Sequence, residues 1–304
     1  METTKQVGGA RLLWPLAIAL VTLLVLVGLA IWWRATPLGA GFIAQYPGEV
    51  PLPADAPVGI PAWLGWQHFL NAFFLVLIVR TGLKFRAAVR SGTRPDAFWS
   101  PRTTKPGHRP KRISTDLWLH NVVDVFWMVN GAIFIVLLIA TGQWMRIVPL
   151  SWEVFPNAIS AAVQYLSLDW PTTNTWANYN SLQQLAYFAT VFLAAPLAIV
   201  SGFRLSSLWS ENWTGLTRAY SDTVARRIHY PVMLYFVAFT VVHVTLVLTT
   251  GAIRNLNHMF GANDGTSLLG LGMFALALAA MVTAWFLVRT SVIKPIAARF
   301  GTVR

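Results

Sequence analysis

Residues 226–250, RRIHYPVMLYFVAFTVVHVTLVLTT, form one apolar stretch that carries two histidines. About 20 residues in a helix span the roughly 30 Å hydrocarbon core of a bilayer, so this stretch is long enough to cross it. His229 and His243 are fourteen residues apart, a separation that rises about 21 Å and ends about 40° short of four full helical turns. The two imidazoles therefore lie on one face of the helix, one near each membrane surface.

The composition of the chain is typical of a membrane protein. Of 304 residues, 56% are hydrophobic and only 11% are charged, whereas a soluble domain carries about 25% charged residues. Soluble enzymes and nucleic-acid-binding modules are therefore disfavoured, in spite of a formal net charge of +12. Cysteine is absent, which excludes disulfides, iron–sulfur clusters, thiolate zinc sites and covalently attached haem, because each needs cysteine sulfur.

Six stretches are long and apolar enough to form membrane-spanning helices, the expected form of a chain that must satisfy its own backbone in lipid. They lie near residues 12–33, 63–83, 117–142, 182–203, 226–250 and 267–289. The first could be a signal peptide, but its apolar run is too long and no small-residue cleavage site follows it. We predict an all-α integral membrane fold of six helices, with a four-helix core and one extra helix at each end.

The lysines and arginines indicate the orientation. Segment 84–112 holds nine of them and segment 204–227 holds four, whereas segments 34–62, 143–181 and 251–266 hold one each. The positive-inside rule then places both termini and the two basic loops in the cytoplasm. The basic charge is thus mostly a topology signal and a match for anionic lipid heads, and we expect no nucleic-acid partner.

Two further predicted spans carry one histidine each, and each of these lies at the same membrane depth as one histidine of the fifth span. Following the chain direction, His68 lies near the outer surface with His243 (the outer pair), and His120 lies near the inner surface with His229 (the inner pair). Neutral imidazole is a good axial ligand for haem iron, so the pattern predicts two bis-histidine b-type haems, one above the other. The alternative is that these histidines make interhelical hydrogen bonds or line a proton path.

Several other residues have two interpretations. His108 lies in a basic loop and His258 in an outer loop, and we expect both to be solvated. Asp124 follows the histidine of the third span by one helical turn; it could orient that histidine or accept a proton, or it could be an interfacial carboxylate. Gly131 and Gly202 could admit a flat macrocycle or, as is usual for glycine in spans, a neighbouring helix.

At this point the chain resembles a known family, the bacterial cytochrome b561 type, which includes the di-haem cytochrome b subunits of membrane formate dehydrogenases and nickel hydrogenases. The resemblance covers roughly residues 63–250. It rests on His68, on His120, on Ile228-His229 with a second histidine fourteen residues later, and on Asn178-Tyr179-Asn180-Ser181-Leu182-Gln183 at the start of the fourth span.

The resemblance implies that the chain is an electron-transfer subunit of a respiratory oxidoreductase in the bacterial plasma membrane, not catalytic on its own. Electrons would pass between quinone and a peripheral molybdenum, iron–sulfur or hydrogenase-type subunit. The resemblance also places Tyr179, Asn180 and Gln183 near the quinone. Their alternative role is helix capping and anchoring at the membrane interface.

Two arginines are placed to pair with haem propionates, Arg226 just before the inner histidine of the fifth span and Arg254 just after that span. The plain alternative for each is an ordinary interface charge. We divide the chain into an N-terminal helix and outer loop (1–62), the di-haem core (63–250) and a C-terminal helix and tail (251–304). The extra first helix turns the core over relative to the formate dehydrogenase subunit, so the side of the partner stays open.

Two functions of other classes compete with this one. The first is a haem-free transporter or proton channel in which the histidines and Asp124 form a relay. The second is a stand-alone transmembrane reductase without a stable partner. Haem content distinguishes the first from our prediction, and co-purification of a redox subunit distinguishes the second.

Overall fold

The chain divides into two compact units. A computed structural model describes residues 9–102, 112–170, 174–210 and 212–304, so His108 lies outside the described residues. The first unit comprises Met1–Ala56 and Met145–Phe188, and the second comprises Pro57–Trp144 and Ala189–Arg304. The functional division at residues 62 and 250 stays a prediction.

Helices dominate the described residues. In chain order they are α1 (Gly9–Ala35), α2 (Pro37–Gln45), α3 (Ala62–Ser91), α4 (Thr115–Ala140), α5 (Val154–Leu166), α6 (Ser181–Phe188), α7 (Ala195–Leu205), α8 (Thr214–Ala219), α9 (Asp222–Thr249), α10 (Ala252–Leu256), α11 (Leu269–Leu287) and α12 (Thr290–Phe300). A 3₁₀ turn covers Gln143–Arg146, and π-helical segments cover Ala189–Ala194 and Asn257–Gly261. Three short strands complete the list, β1 (Phe98–Ser100), β2 (Ile113–Ser114) and β3 (Thr302–Val303).

Five helical segments of the described chain are long and apolar enough to cross a membrane. They are Leu13–Ala35, Thr115–Ala140, Ser181–Leu205, Asp222–Thr249 and Leu269–Leu287, and they match five of the six predicted spans. The remaining predicted span, 63–83, lies within the 30-residue helix α3, which is not one of the five. The fold is therefore that of a helical membrane protein with five candidate spans, and the sixth span stays a prediction.

The helices of the second unit start where the sequence supplies caps. The Ser114 hydroxyl accepts a hydrogen bond from the Leu117 amide at the start of α4, and Ser221 does the same for the Val224 amide at the start of α9. Such caps satisfy amides that have no partner inside the helix. They place the first turn of each helix, and with it the depth at which the histidines of α4 and α9 lie.

Helix packing in the second unit joins α3 to α4 and α7 to α9. Arg80 on α3 also holds the end of α11, because its guanidinium donates to the Val288 carbonyl at 2.6 Å and lies 5.0 Å from the centre of the Trp285 ring. A buried cluster that includes Leu77, Trp118 and Ile293 joins α3, α4 and α12.

A small antiparallel sheet contacts α4 and α12 in this unit, and its strands are in the order β2-β1-β3. Trp99 of β1 lies opposite Ile113 on one side and Val303 on the other. The C-terminal strand thereby pairs with β1, which lies within the basic segment 84–112.

In the first unit, α1 packs on α2 and α5, and α5 packs on α6. One face of helix α5 is buried, with Val154, Ala158 and Ala161, whereas the apolar side chains of Phe155 and Ile159 are exposed. The Gly48 amide donates to the Asn157 side chain at 2.9 Å, which fixes the loop after α2 to this helix.

Candidate haem sites

The inner pair lies on two packed helix pairs of the second unit. His120 is on α4 and His229 on α9, and their ring centres are 6.4 Å apart with 78° between the ring planes. Imidazole nitrogens bind a metal ion at about 2 Å, so two axial imidazoles on one iron have ring centres roughly 6 Å apart. The observed separation therefore fits a shared iron without a large movement of either helix.

The outer pair has the same spacing. His68 on α3 and His243 on α9 have ring centres 6.0 Å apart, with 61° between the planes. Phe239 stacks on His243 at 5.5 Å and 6°, and Phe260 lies edge-on to His68 at 5.9 Å. The structure thus brings together both of the pairs that the sequence predicts by depth.

A hydroxyl and a carbonyl of α3 contact Nδ1 of the His120 ring. Its Nδ1 lies 3.0 Å from the Thr81 hydroxyl and 3.1 Å from the Ile78 carbonyl. Because a carbonyl oxygen only accepts, Nδ1 carries the proton. The Thr81 hydroxyl donates to the Leu77 carbonyl at 2.7 Å, so it can accept from Nδ1. The other ring nitrogen, Nε2, is then the one with a lone pair for a metal.

The His229 ring is held in the same manner on the other helix pair. Its Nδ1 lies 3.0 Å from the Ser201 hydroxyl, and the ring also lies beside the backbone of Ala198. The Ser201 hydroxyl donates to the Leu197 carbonyl at 2.6 Å. Each inner histidine therefore contacts a hydroxyl on a neighbouring helix and the backbone three residues before that hydroxyl.

A glycine follows each of these hydroxyl residues and makes room for the ring. A Cβ added to Gly82 would lie 3.2 Å from Cε1 of His120, and a Cβ added to Gly202 would lie 3.2 Å from Cε1 of His229. Both distances are shorter than ordinary van der Waals contact. The missing side chains let each imidazole lie against its neighbouring helix.

Beside the inner pair is a cavity of about 530 Å³, within the size range of ligand pockets. Most of its wall is apolar, and its cationic lining residues are Arg86, Arg90 and Arg226. The Arg86 guanidinium stacks on the Tyr230 ring at 3.7 Å. An apolar cavity with two imidazoles and several guanidinium groups fits a flat macrocycle that carries carboxylates, so these residues fit a b-type haem.

The two predicted propionate partners have different surroundings. Arg226 lines the inner cavity with both histidines of the inner pair. Arg254 instead forms an ion pair with Asp264 at 3.0 Å. Asp124 also lines the cavity, and its carboxylate lies 3.5 Å from Nε2 of His120 on the same helix face.

The expectation that His258 is solvated is wrong. Its exposed fraction is 2%, and its Nε2 lies 2.7 Å from the Asp264 carboxylate, which Arg254 also contacts. The cause is the π-helical segment Asn257–Gly261, which packs on α3 and α11 and encloses the side chain. Nothing in the sequence around His258 indicates this turn of the chain.

The predicted quinone residues lie in the first unit at the start of α6. The Asn180 side chain accepts from the Gln183 amide at 2.9 Å, and the Gln183 side chain accepts from the Asn180 amide at 3.1 Å. This reciprocal arrangement is a capping box. The Arg146 guanidinium lies 4.6 Å from the Tyr179 ring. Burial raises the pKa of the Tyr179 phenol and Arg146 acts against it, so this hydroxyl stays protonated at neutral pH.

Reasoning from the sequence missed the residues that support the inner pair, namely Thr81, Gly82 and Ser201. A signal was present, because the second and fourth predicted spans each carry a hydroxyl residue followed by glycine near the inner end. This pair of residues indicates a support for a ligand only when the neighbouring helix is known to place an imidazole against it.

Comparison with known proteins agrees with this geometry. The family model of prokaryotic cytochrome b561 matches residues 59–262. A protein of Azospira oryzae (strain ATCC BAA-33 / DSM 13638 / PS), named provisionally as the protein-methionine-sulfoxide reductase subunit YedZ1, is 27% identical over 202 residues, which are 62% of this chain and 88% of that protein. No solved structure matches the chain significantly. Since the family match covers more than half of the chain, this protein belongs to the prokaryotic cytochrome b561 family, whose members bind b-type haem and transfer electrons in the membrane.

Proposed function

We propose that this chain is the membrane subunit of an oxidoreductase complex and carries two bis-histidine b-type haems. His68 and His243 hold the outer haem, and His120 and His229 hold the inner one. The observation that carries the proposal is the equal spacing of the two imidazole pairs, 6.0 and 6.4 Å between ring centres. Bound haem supplies reversible one-electron redox chemistry, and the protein supplies ligands, orientation and a low dielectric.

The residues of the chain have distinct roles in this proposal. The four histidines would bind iron through a ring nitrogen, which is Nε2 for His120 and His229 because a hydrogen-bond partner occupies Nδ1. Arg226, with Arg86 and Arg90 on the same cavity wall, would neutralise the carboxylates of the inner group. We assign the same role at the outer group to Arg254, which also forms an ion pair with Asp264. The apolar walls exclude water, which keeps the redox change free of large solvent reorganisation.

Electron exchange with quinone and with a partner subunit completes the proposed role. The Azospira relative is named as a reductase subunit, which supports a redox partner for this chain. We assign the quinone contact to Tyr179, Asn180 and Gln183, which lie together at the start of α6. A peripheral molybdenum, iron–sulfur or hydrogenase-type subunit is the proposed partner class.

The proposed location is the bacterial plasma membrane, with six spans and both termini in the cytoplasm. The five candidate spans support a multi-pass protein. Helix α3 has 30 residues, enough for a sixth span. The excess of lysine and arginine in segments 84–112 and 204–227 supports the orientation.

One observation favours a second function, a proton relay without haem. The Asp124 carboxylate lies 3.5 Å from His120, and intramembrane carboxylate–histidine chains can carry protons. Haem content separates the two functions, since a relay needs no pigment.

The first experiment is a reduced-minus-oxidised visible spectrum with a haem count on protein purified from haem-sufficient cells. Two b-type haems per chain are expected. One haem would mean that one pair is misassigned. Folded protein without haem would contradict the proposal and favour the proton relay.

Reciprocal substitutions test the pairing. His243→Ala should remove the outer haem and leave the inner one, and His120→Ala should do the opposite, because each haem depends on one ligand from α9 and one from another helix. Haem per chain and the redox titration of each purified variant measure this. Loss of both haems, or of neither, from folded protein would contradict the pairing.

A further inference from the structure

The inner pair is supported by two copies of one local arrangement. Thr81-Gly82 lies on α3 against His120, and Ser201-Gly202 lies on α7 against His229. Both hydroxyl-to-Nδ1 distances are 3.0 Å. Both glycines would place an added Cβ 3.2 Å from the ring. Two helix pairs, α3 with α4 and α7 with α9, thus present their histidines in the same way.

We propose that Thr81 and Ser201 are positioning residues that orient the rings of His120 and His229 by accepting from Nδ1, and that they thereby lower the potential of the inner haem. This inference rests on the proposed function, since it concerns the inner haem. It adds two residues, on helices α3 and α7, that supply no ligand themselves.

The physical reason is the direction of the hydrogen bonds. Each hydroxyl donates its single proton to the carbonyl four residues earlier, Leu77 for Thr81 and Leu197 for Ser201. Its lone pairs are then available to accept from Nδ1 of the imidazole. An acceptor on Nδ1–H makes the imidazole more basic. A more basic ligand stabilises ferric over ferrous iron, so loss of the hydroxyl should raise the potential.

The size of the effect follows from one hydrogen bond. Only the part of that hydrogen bond that differs between ferric and ferrous iron moves the potential, so its whole net strength, roughly a fivefold change in affinity, is the upper limit. At 59 mV for each tenfold change of a one-electron couple, this limit is about 40 mV. The backbone partners at Ile78 and Ala198 remain in the variants, so the haem should stay bound.

The test uses Ser201→Ala and Thr81→Val on the full chain in detergent or nanodiscs. A redox titration followed in the visible spectrum should show the inner haem shifted upward, by at most about 40 mV, in each variant, with the outer haem unchanged. The low-spin ferric EPR signal of the inner haem should also change, because its shape depends on the angle between the two imidazole planes. The conservative variants Ser201→Thr and Thr81→Ser should restore both readouts.

The matched control is Thr240→Val. The Thr240 hydroxyl also donates to the carbonyl four residues earlier, that of Phe236, at 2.8 Å, and no hydrogen bond to a histidine is recorded for it among the described residues. This variant loses the same kind of helix-internal bond and should keep the inner potential unchanged.

Outcomes separate this inference from the proposed function. Purified wild-type protein without haem would overturn both. Two haems whose potentials and EPR signals do not differ between Ser201→Ala, Thr81→Val and Thr240→Val would overturn only the role of the hydroxyls. Potentials or EPR signals of Ser201→Thr and Thr81→Ser that differ from wild type would also overturn the role of the hydroxyls. These two variants keep the hydroxyl, so they test this role even if Ser201→Ala and Thr81→Val do not accumulate as folded protein.

Discussion

A glycine in a membrane helix can have very different surroundings, as Gly202 and Gly131 show. An added Cβ at Gly202 would lie 3.2 Å from the His229 ring, whereas at Gly131 on α4 it would meet nothing within 4 Å among the described atoms. The interpretation of Gly131 as a packing position therefore has no support here. Gly202 instead makes room for an imidazole.

Gly202→Ala should displace the His229 ring by a few tenths of an ångström and weaken retention of the inner haem about tenfold, since changes around a metal ligand cost 10–100-fold in affinity. Gly28→Ala is the matched control, because an added Cβ there would also meet nothing within 4 Å among the described atoms and α1 carries no histidine. It should leave haem content unchanged and, as alanine has the higher helix propensity, stabilise α1 by about 0.5–1 kcal/mol. Haem per chain and thermal unfolding measure both. Equal haem loss in the two variants, or none in either, would contradict the role given to Gly202.

At the scale of the element, the start of α6 explains why Asn180 and Gln183 occur together. The side-chain oxygen of each residue accepts a hydrogen bond from the backbone amide of the other. The Asn180 side chain also donates to the Tyr165 hydroxyl at 2.9 Å and is completely buried. Capping thus accounts for both acceptor oxygens, and any quinone contact has to use the remaining donors or the Tyr179 hydroxyl.

Two substitutions separate capping from quinone contact. Asn180→Ala removes the cap and should destabilise the protein by about 1–2 kcal/mol. Gln183→Glu keeps an acceptor oxygen for the Asn180 backbone amide, so the melting temperature of this variant should stay near the wild-type value. The substitution removes the side-chain NH₂ group of Gln183, which is the donor available to a quinone. The measurements are thermal unfolding and the rate of haem reduction by a quinol.

The quinone assignment predicts a slower rate for Gln183→Glu at unchanged stability. A wild-type rate in this variant would contradict a contact through Gln183. An unchanged melting temperature in Asn180→Ala would contradict the capping role.

At the scale of the whole molecule, the lack of cysteine makes the orientation directly testable. Arg94 and Trp152 are exposed, Trp152 at 85%, and the charge distribution predicts them on opposite sides of the membrane. A membrane-impermeant maleimide added to intact spheroplasts should label Trp152→Cys, and it should label Arg94→Cys only after permeabilisation. The wild-type chain, which has no thiol, is the control. The reverse labelling pattern would contradict the orientation.

Much of the proposed site could be predicted from local properties of the chain. The apolar runs predict the helices, and the fourteen residues between His229 and His243 place both on one helix face, because a helix repeats every 3.6 residues whatever surrounds it. Chain direction then pairs them by depth with His120 and His68. The structure brings these same side chains to 6.4 and 6.0 Å.

The tertiary structure decided what surrounds the histidines. Thr81 lies 39 residues before His120, and Ser201 lies 28 residues before His229. The burial of His258 depends on how the segment after α9 folds back onto α3 and α11. Such contacts depend on the rotation and register with which helices pack, which the periodicity of a single helix leaves undetermined. The sequence by itself therefore determined where the ligands lie along each helix, and helix packing decided which groups hydrogen-bond to them.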